Sequence, residues 1–261
     1  MTATIARSPG LRIAQLGAAL GIGAPLVALA AAIGSGQGLW HFAVGLTALR
    51  WMLYLAAAGL LISVVALIWG LVRRGSVPLW LPVLAMAIAA IYVWQVLGVR
   101  QLAEQNPPIH DVTTDLASVP QFTALAVRPD NFETVPDRDR ADLKPLSNEQ
   151  RWAVYHREAY ADIAPLILGA PPARVYDAAV ELVGDRGWQI ALADRAQGRI
   201  EATDTVSLFR FKDDVVILIT PAPGGARVDM RSVSRVGVSD LGYNAARVRA
   251  FLADLRRRVG G

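Results

Sequence analysis

Arginine and aspartate supply most of the side chains that could do chemistry, and they lie in the second half of the chain. Arg231 and Arg235 share one face of a strand-like run. Two guanidinium groups on one face can bind the phosphate or carboxylate of an anionic ligand. In the other interpretation they pair with Asp213, Asp214 and Asp240, and hold the strand, a turn and the last helix together. The nearly balanced charge of this half favours the pairing.

Asp213 and Asp214 interrupt an otherwise apolar run over residues 208–219. Such a pair is typical of a tight turn or bulge, because aspartate supplies its own turn hydrogen bond. Paired carboxylates can also act as general acid and base, but they then need an oriented partner in a cleft that excludes water. The sequence favours the turn and leaves the catalytic residues, if any, unknown.

Three further polar residues belong to the same candidate cluster. Ser234 as a nucleophile would need a nearby base, and neither His110 nor His156 stands in a recognisable triad order. The Gly-x-Ser-x-Gly elbow is also missing. Asn244 and Arg247 lie three residues apart on the first turn of the last predicted helix, opposite its apolar row. We expect them to complete the polar cluster.

His110, Asp111 and Asp115 are the one place where imidazole and carboxylates cluster in the sequence. Neighbouring side chains on an extended segment cannot all face one ion, and there is no second histidine-rich segment, so we predict no metal site. The interpretation that we prefer is a segment fastened to the domain through Asx-type and backbone hydrogen bonds. The chain has no cysteine, which excludes disulfides and thiolate sites, and we predict no cofactor.

The elements that must position these residues form a small α+β domain over residues 147–261. A proline-rich linker of irregular structure precedes it, over residues 101–146. A capping box at residues 147–150 and a Pro171–Pro172 pair open two helices. The strand-like runs cover residues 163–168, 188–193, 199–206, 208–219 and 227–236, and the last helix carries the apolar row Leu241, Ala245, Val248, Leu252 and Leu255. This order predicts an antiparallel sheet with helices on one face and a wet second face.

Residues 1–100 have the composition of a membrane anchor. Three apolar runs, residues 13–33, 51–72 and 77–99, carry no formal charge, and each can cross ~30 Å of hydrocarbon as a helix. We therefore predict three transmembrane helices with the lipid bilayer as their partner. The first run could instead be a cleavable signal peptide, although it is longer than the usual apolar region of one.

The arginines of this half predict its orientation. Arg7 and Arg12 precede the first run, and Arg73 and Arg74 link the second and third, so the positive-inside rule places both groups in the cytoplasm. Tryptophan and tyrosine cluster near the run ends, as expected at membrane interfaces. With three spans, the C-terminal domain lies in the periplasm of a bacterial inner membrane. Cleavage of the first run would not change this side.

The charge of the chain is divided unevenly between its halves. Residues 1–100 hold six arginines and no acidic residue, whereas the remainder holds 20 basic and all 22 acidic residues. The net charge of +4 therefore comes from the membrane half. A basic surface on the polar half is not indicated, so we predict no nucleic-acid partner.

Small residues form a stripe on the first span, beginning with Gly17 and Gly21. A Gly-x-x-x-Gly pattern allows close approach of a second helix. We prefer packing against residues 56–59 of the second span, with a homo-oligomer through the Gly17/Gly21 face as the alternative. The spans contain no charged residue, which argues against a transporter or channel.

Four segments together carry a resemblance to a known family. They are residues 109–115, Phe211–Val215, Arg231–Gly237 and Ser239–Arg247, and the three later ones occur in the family's order. The chain resembles the bacterial domain-of-unknown-function family fourteen-ninety-nine over about residues 107–258, with the domain fused behind membrane helices. The resemblance implies no activity. The chain lacks the cysteine pair that some members carry in the linker, so it implies no redox or metal role here.

Two functions from different classes remain open. The leading hypothesis is a membrane-anchored periplasmic domain that binds a partner protein or an anionic envelope component without catalysis. The alternative is a membrane-surface enzyme for an anionic envelope substrate, acting through Asp213 or Asp214 with Arg231 and Arg235. The two differ in whether these four side chains line an open cleft or neutralise one another.

Overall fold

The computed structural model describes residues 8–74, 76–206 and 208–260. The chain divides into two compact units, Met1–Gln101 with Leu208–Arg210, and Leu102–Ser207 with Phe211–Gly261. Arg7, which the orientation argument used, lies outside the described residues.

The first unit is built from three long apolar helices, α1 (Pro9–Gly36), α2 (Phe42–Val72) and α3 (Trp80–Gln105). Each is long and apolar enough to cross a membrane, which agrees with the three predicted spans. α1 begins after Ser8, whose hydroxyl accepts a hydrogen bond from the Leu11 amide at 3.2 Å. This side-chain cap satisfies one of the amides that the first helical turn leaves without a partner.

Small residues let α1 and α2 approach closely. A Cβ atom added to Gly17 would lie 2.5 Å from the Ser63 hydroxyl oxygen, and one added to Gly59 would collide with the backbone of Gly21. The glycine stripe of α1 therefore packs against α2 of the same chain. A homo-oligomer formed through the Gly17/Gly21 face would have to displace this contact.

The close contact predicts a difference between two glycine-to-alanine substitutions in the membrane half. Gly59→Ala should lower the melting temperature of the detergent-purified chain, because the added methyl group overlaps backbone atoms and overpacking costs ~1–3 kcal/mol. Gly23→Ala is the matched control, since a Cβ there meets no atom within 4 Å. Equal melting temperatures for the two variants would contradict the packing.

The second unit contains an antiparallel sheet with strand order β1-β6-β5-β4-β3, and β2 pairs with β6 beside β1. The strands are β1 (Asp111–Thr113), β2 (Leu166–Leu168), β3 (Gln189–Asp194), β4 (Arg199–Val206), β5 (Phe211–Ala222) and β6 (Gly225–Ser234). The predicted α+β class, an antiparallel sheet domain behind three apolar helices, is confirmed. Two differences from the sequence patterns bear on the site.

Two helices, α5 (Pro172–Asp185) and α6 (Tyr243–Gly260), supply the core on one face of the sheet. A third, α4 (Asn148–Ala159), lies beside β1 and bonds to its backbone through Trp152 and His156. The fully buried row of α6 is Ala245, Val248, Phe251 and Leu255. Phe251 stacks on Trp188 with ring centroids 5.6 Å apart, whereas Leu252, which the predicted apolar row included, is only partly buried.

The second face of the sheet is covered beside β6 and the middle of β4 and β5, so the prediction of a wet face was wrong for these strands, whereas β3 is largely exposed. Residues 114–131, which we call the strap, contain no helix or strand and lie across it. The sheet residues beneath are polar yet buried: Glu201 is 0% exposed, Arg231 4% and Asp229 8%. Alternation of polar and apolar residues along β6 does not distinguish water from a polar segment of the same chain.

Candidate functional site

A buried ion pair joins Asp111, in the first strand of the domain, to Arg231 in β6. Arg231 donates from Nε to Asp111 Oδ1 at 3.0 Å and from an Nη atom to Asp111 Oδ2 at 2.7 Å. The pairing of β1 with β6 brings the two residues to adjacent positions on the strap-covered face. The remaining Nη atom of Arg231 donates to the carbonyl of Pro120 at 3.2 Å, and its guanidinium lies over the Phe122 ring. All three nitrogens of Arg231 thus donate within the protein, and the side chain is too deeply buried to meet an external anion in this structure.

Asn131 and Trp152 complete the surroundings of Asp111. Asn131 donates to Asp111 Oδ2 at 2.7 Å, and the indole Nε1 of Trp152 donates to the Asp111 carbonyl at 2.7 Å. His110 places Nε2 at 3.1 Å from Asn131 Oδ1 and Nδ1 at 3.3 Å from the Val238 carbonyl. Both ring nitrogens of His110 are thus engaged by protein oxygens. Among the described residues no group of three histidine, cysteine, aspartate or glutamate side chains could hold a metal.

His156 fastens the same strand from its other side. Its Nε2 accepts the backbone amide of Thr113 at 3.1 Å, so this nitrogen carries no proton. Burial lowers the pKa of His156 below its ordinary value, although the nearby Asp111 carboxylate opposes this shift. The ring is a neutral acceptor that holds β1 in place.

Asp213 belongs to a second cluster, under the start of α6. An Nη atom of Arg247 donates to Asp213 Oδ2 at 2.7 Å and to Asp204 Oδ2 at 2.9 Å. Its other Nη atom donates to Asn244 Oδ1 at 2.5 Å and to Ser232 Oγ at 3.0 Å. Arg247 therefore neutralises carboxylates from two strands and ties the helix to the sheet.

Asp214 has a different arginine on the opposite face. Arg235 donates from Nε and an Nη atom to the two carboxylate oxygens of Asp214, each at 2.8 Å, and Thr203 Oγ1 donates at 2.7 Å. Arg235 is the exposed member, with 41% of its side chain accessible, against 5% for Asp214. This pair is one that the sequence predicted.

The predicted turn at Asp213–Asp214 is not present. β5 continues through both residues, and they pair in register with Ser234 and Val233 of β6. The strand tolerates two aspartates because successive side chains point to opposite faces, where Arg247 and Arg235 neutralise one each. The same geometry keeps the two carboxylates from acting on one substrate as an acid and base pair.

Asp240 caps the start of α6, and Ser234 bonds to a side chain of that helix; within the described residues neither forms an ion pair. Asp240 accepts the amides of Gly242 at 2.9 Å and Asn244 at 2.6 Å, at the beginning of α6. Burial raises the pKa of Asp240 above its ordinary value, and the two amides partly offset the rise. Ser234 Oγ accepts from Asn244 Nδ2 at 2.9 Å. The cross-strand neighbour of Ser234 is Asp213, whose carboxylate is bonded to Arg247.

Asp115 joins the strap to the sheet. An Nη atom of Arg227 donates to Asp115 Oδ2 at 2.7 Å and to Asp229 Oδ1 at 2.9 Å. Thr114 Oγ1 donates to Asp229 Oδ1 at 3.2 Å. The sequence did not indicate Arg227 and Asp229 as site residues, because they alternate with apolar residues as a solvent-facing row would.

Glu201 is the second residue that the sequence analysis missed. Its carboxylate accepts four hydrogen bonds from the strap, three from the amides of residues 123, 124 and 125 and one from the Thr123 hydroxyl, at 2.7–2.9 Å. Burial alone would raise the pKa of Glu201, but these donors outweigh it and hold the pKa below its ordinary value. A lone glutamate within a strand of apolar and threonine residues was the available signal.

The candidate residues thus form several internal clusters rather than one open cleft. The ion pair of Asp111 and Arg231 lies under the strap, and Arg247 joins Asp213 and Asn244 under α6. His110 lies between the two clusters, because its carbonyl oxygen accepts from Asn244 Nδ2 at 2.9 Å. The arrangement defines a class of protein: a two-layer α+β domain in which a strap packs on the second sheet face. Hydrogen bonds of carboxylate and guanidinium groups hold the strap there.

The chain belongs to the family described as proteins of unknown function, DUF1499, whose model matches residues 111–255. The match confirms the resemblance inferred from the sequence motifs, with the three apolar helices N-terminal to the matched region. It begins at Asp111, so it includes the strap and both members of the Asp111–Arg231 pair, while His110 lies just outside. No curated protein matches the chain significantly.

The burial of the first ion pair predicts a large effect of Arg231→Ala. The substitution leaves Asp111 charged and buried, which should cost ~3–5 kcal/mol of unfolding free energy. Arg235→Ala should cost less than half as much, because water reaches that pair. Chemical unfolding of the purified chain, followed by tryptophan fluorescence, measures both. An Arg231→Ala variant of unaltered stability, with a parent stabilised by inorganic phosphate, would contradict the internal pairing and indicate an anion site.

The hydrogen bonds that Glu201 accepts from the strap predict that the unfolding free energy depends on pH. The folded chain keeps Glu201 ionised to a lower pH than the unfolded chain does, so the stabilisation is complete above the ordinary pKa of 4.5 and is lost as the pH falls through the lower folded value. Glu201→Gln should therefore cost at least ~2 kcal/mol at pH 7, since it leaves strap amides unpaired. The difference from the parent should shrink below pH 4.5. Glu133→Gln, at an exposed position, is the control. A stability difference between Glu201→Gln and the parent that is constant with pH would contradict the role of the Glu201 carboxylate.

Proposed function

We propose that this chain is a membrane-anchored protein of the bacterial inner membrane whose C-terminal domain lies in the periplasm. There it binds a partner protein or an envelope component without catalysing a reaction. The membrane anchor rests on three helices long and apolar enough to span. The orientation is supported by the arginines at the N-terminus and in the link between α2 and α3.

One observation carries the proposal of binding without catalysis. The carboxylates that an enzyme would use as acid or base, Asp213 and Asp214, are each neutralised by an arginine and face opposite sides of β5. Arg231, which would bind an anionic substrate, is 4% exposed, and each of its three nitrogens donates to a protein oxygen. These charged side chains stabilise the fold, so we infer that recognition takes place on the outer surface of the domain.

The binding role is tested by crosslinking intact cells that express the full chain, purifying it and identifying what is attached by mass spectrometry. The proposal expects one recurrent protein or envelope component that is missing from the uncrosslinked control. Recovery of only lipid and further copies of this chain would contradict it.

The orientation is tested separately, with reporters fused to the full chain. A reporter active only in the periplasm should be active when fused after Gly261 and silent when inserted between Arg73 and Arg74. A cytoplasmic reporter at the same two positions is the control and should give the reverse pattern. If the first pattern is reversed instead, the periplasmic location is wrong.

A further inference from the structure

A groove in the second unit lies between α6 and the segment that leads into β2, away from the ion-pair clusters. It encloses about 260 Å³ and is lined by residues 162–166 and by α6 residues from Val248 to Arg256. Its floor is apolar and rigid, because Val248 is 0% exposed, Leu166 3% and Ile163 7%. A floor of this kind can accept an apolar side chain.

The groove ends at Leu166, the first residue of the edge strand β2. β2 pairs with β6 on one side, and among residues 8–74, 76–206 and 208–260 no strand pairs with its other side. The side chain of Ile167 is 57% exposed, and Ala164 and Gly169 are exposed on either side of it. An edge strand presents amide and carbonyl groups to which an extended peptide can add as a further strand.

The free edge of β2 contrasts with that of β1, the other strand that pairs with β6 on this side of the sheet. The β1 edge is covered, because Trp152 and His156 of α4 bond to the backbone of Asp111 and Thr113. No such contact from α4 reaches β2 among the described hydrogen bonds. On this side of the sheet the open part of the edge is therefore β2, which adjoins the groove; β3 is the edge strand at the opposite end of the sheet.

The charge beside the groove is positive and not neutralised. Arg249 is tied to Asp162 by two short hydrogen bonds, but Arg256 makes no ion pair or hydrogen bond within the described part of the chain and is exposed. Most arginines of this domain are engaged by an oxygen of the protein; within the described residues Arg157 and Arg256 are not, and of these two only Arg256 lines the groove. It favours an acidic ligand.

We propose that this groove binds an extended acidic peptide segment of a partner protein, which adds as a strand beside β2. One apolar side chain of the peptide lies between Leu252 and Pro165, and an acidic residue meets Arg256. β2 has only three residues, so main-chain pairing is short and the side chains must supply much of the affinity. The inference rests on the proposed binding function and names its surface and partner class.

The test uses the full chain in nanodiscs and fluorescent hexapeptides in which valine or leucine alternates with aspartate or glutamate. Fluorescence anisotropy should show saturable binding of these peptides. Matched peptides with lysine in place of the acidic residues, or with N-methylated alternate amides, should bind at least tenfold more weakly. The first control removes the charge match and the second removes strand pairing.

Two pairs of exposed α6 variants locate the site. Ala253→Trp fills the groove, and Arg256→Glu reverses its charge, so each should weaken binding at least tenfold. Ala250→Trp and Arg257→Glu lie on the same helix outside the groove lining, so each should change binding less than twofold. All four should keep the parent's melting temperature, which separates lost binding from lost folding.

Three outcomes would overturn the peptide site. Binding that Ala253→Trp leaves intact would place the peptide elsewhere. Equal binding of N-methylated peptides, with competition by soluble short-chain phosphatidylglycerol, would make the ligand an anionic lipid. Dimerisation in nanodiscs that Ala253→Trp abolishes would assign the groove to a second copy of the chain. If cells still crosslink a partner to Ala253→Trp, the groove proposal fails while the proposed function stands; if the parent crosslinks none, the proposed function itself fails.

Discussion

The C-terminal domain depends on the neutralisation of buried carboxylates. An isolated carboxylate removed from water loses several kcal/mol of solvation, and it is tolerated only with a cation and further donors around it. Asp111, Asp213, Asp214 and Glu201 are all nearly inaccessible. Asp111, Asp214 and Glu201 each accept three or more hydrogen bonds, Asp213 accepts one from Arg247, and all four are paired with an arginine of the domain. Removal of one arginine would therefore destabilise the strap or helix that packs over its ion pair, as well as the ion pair itself.

This constraint explains why the segment before α4 is part of the fold. The strap has no regular structure of its own, yet its amides donate hydrogen bonds to Glu201, and its Asp115 and Pro120 accept from Arg227 and Arg231. A proline-rich segment suits this task because it forms no competing helix and leaves its carbonyls available. The helical face of the sheet is held by apolar packing and the strap face by polar ties, so the two layers respond differently to pH.

Local patterns in the sequence were enough to predict most helices and strands but not the contacts between them. The Ser147 capping box, the Pro171–Pro172 helix start and the limits of β4 follow from spacing and residue type. The partner of Arg231 could not be predicted from such patterns, because Asp111 lies 120 residues away and the pairing of β1 with β6 is a property of the whole sheet. The Asp213–Asp214 turn was wrong for the same reason: a local rule for aspartate cannot include two arginines that arrive from β6 and α6.

The number of arginines is therefore a poor guide to function in this domain, whereas their state of pairing is informative. An arginine that donates to two aspartates at 2.7–2.9 Å can bind an external anion only after breaking those bonds, and the domain would lose stability as it did so. An exposed guanidinium without an internal partner pays no such cost. By this reasoning the motif with the densest charge, around Arg231 and Arg247, is the part of the surface least able to recognise a ligand. The sparse groove with Arg256 on its rim is better suited to recognition, and its edge strand adds a second, independent means of contact.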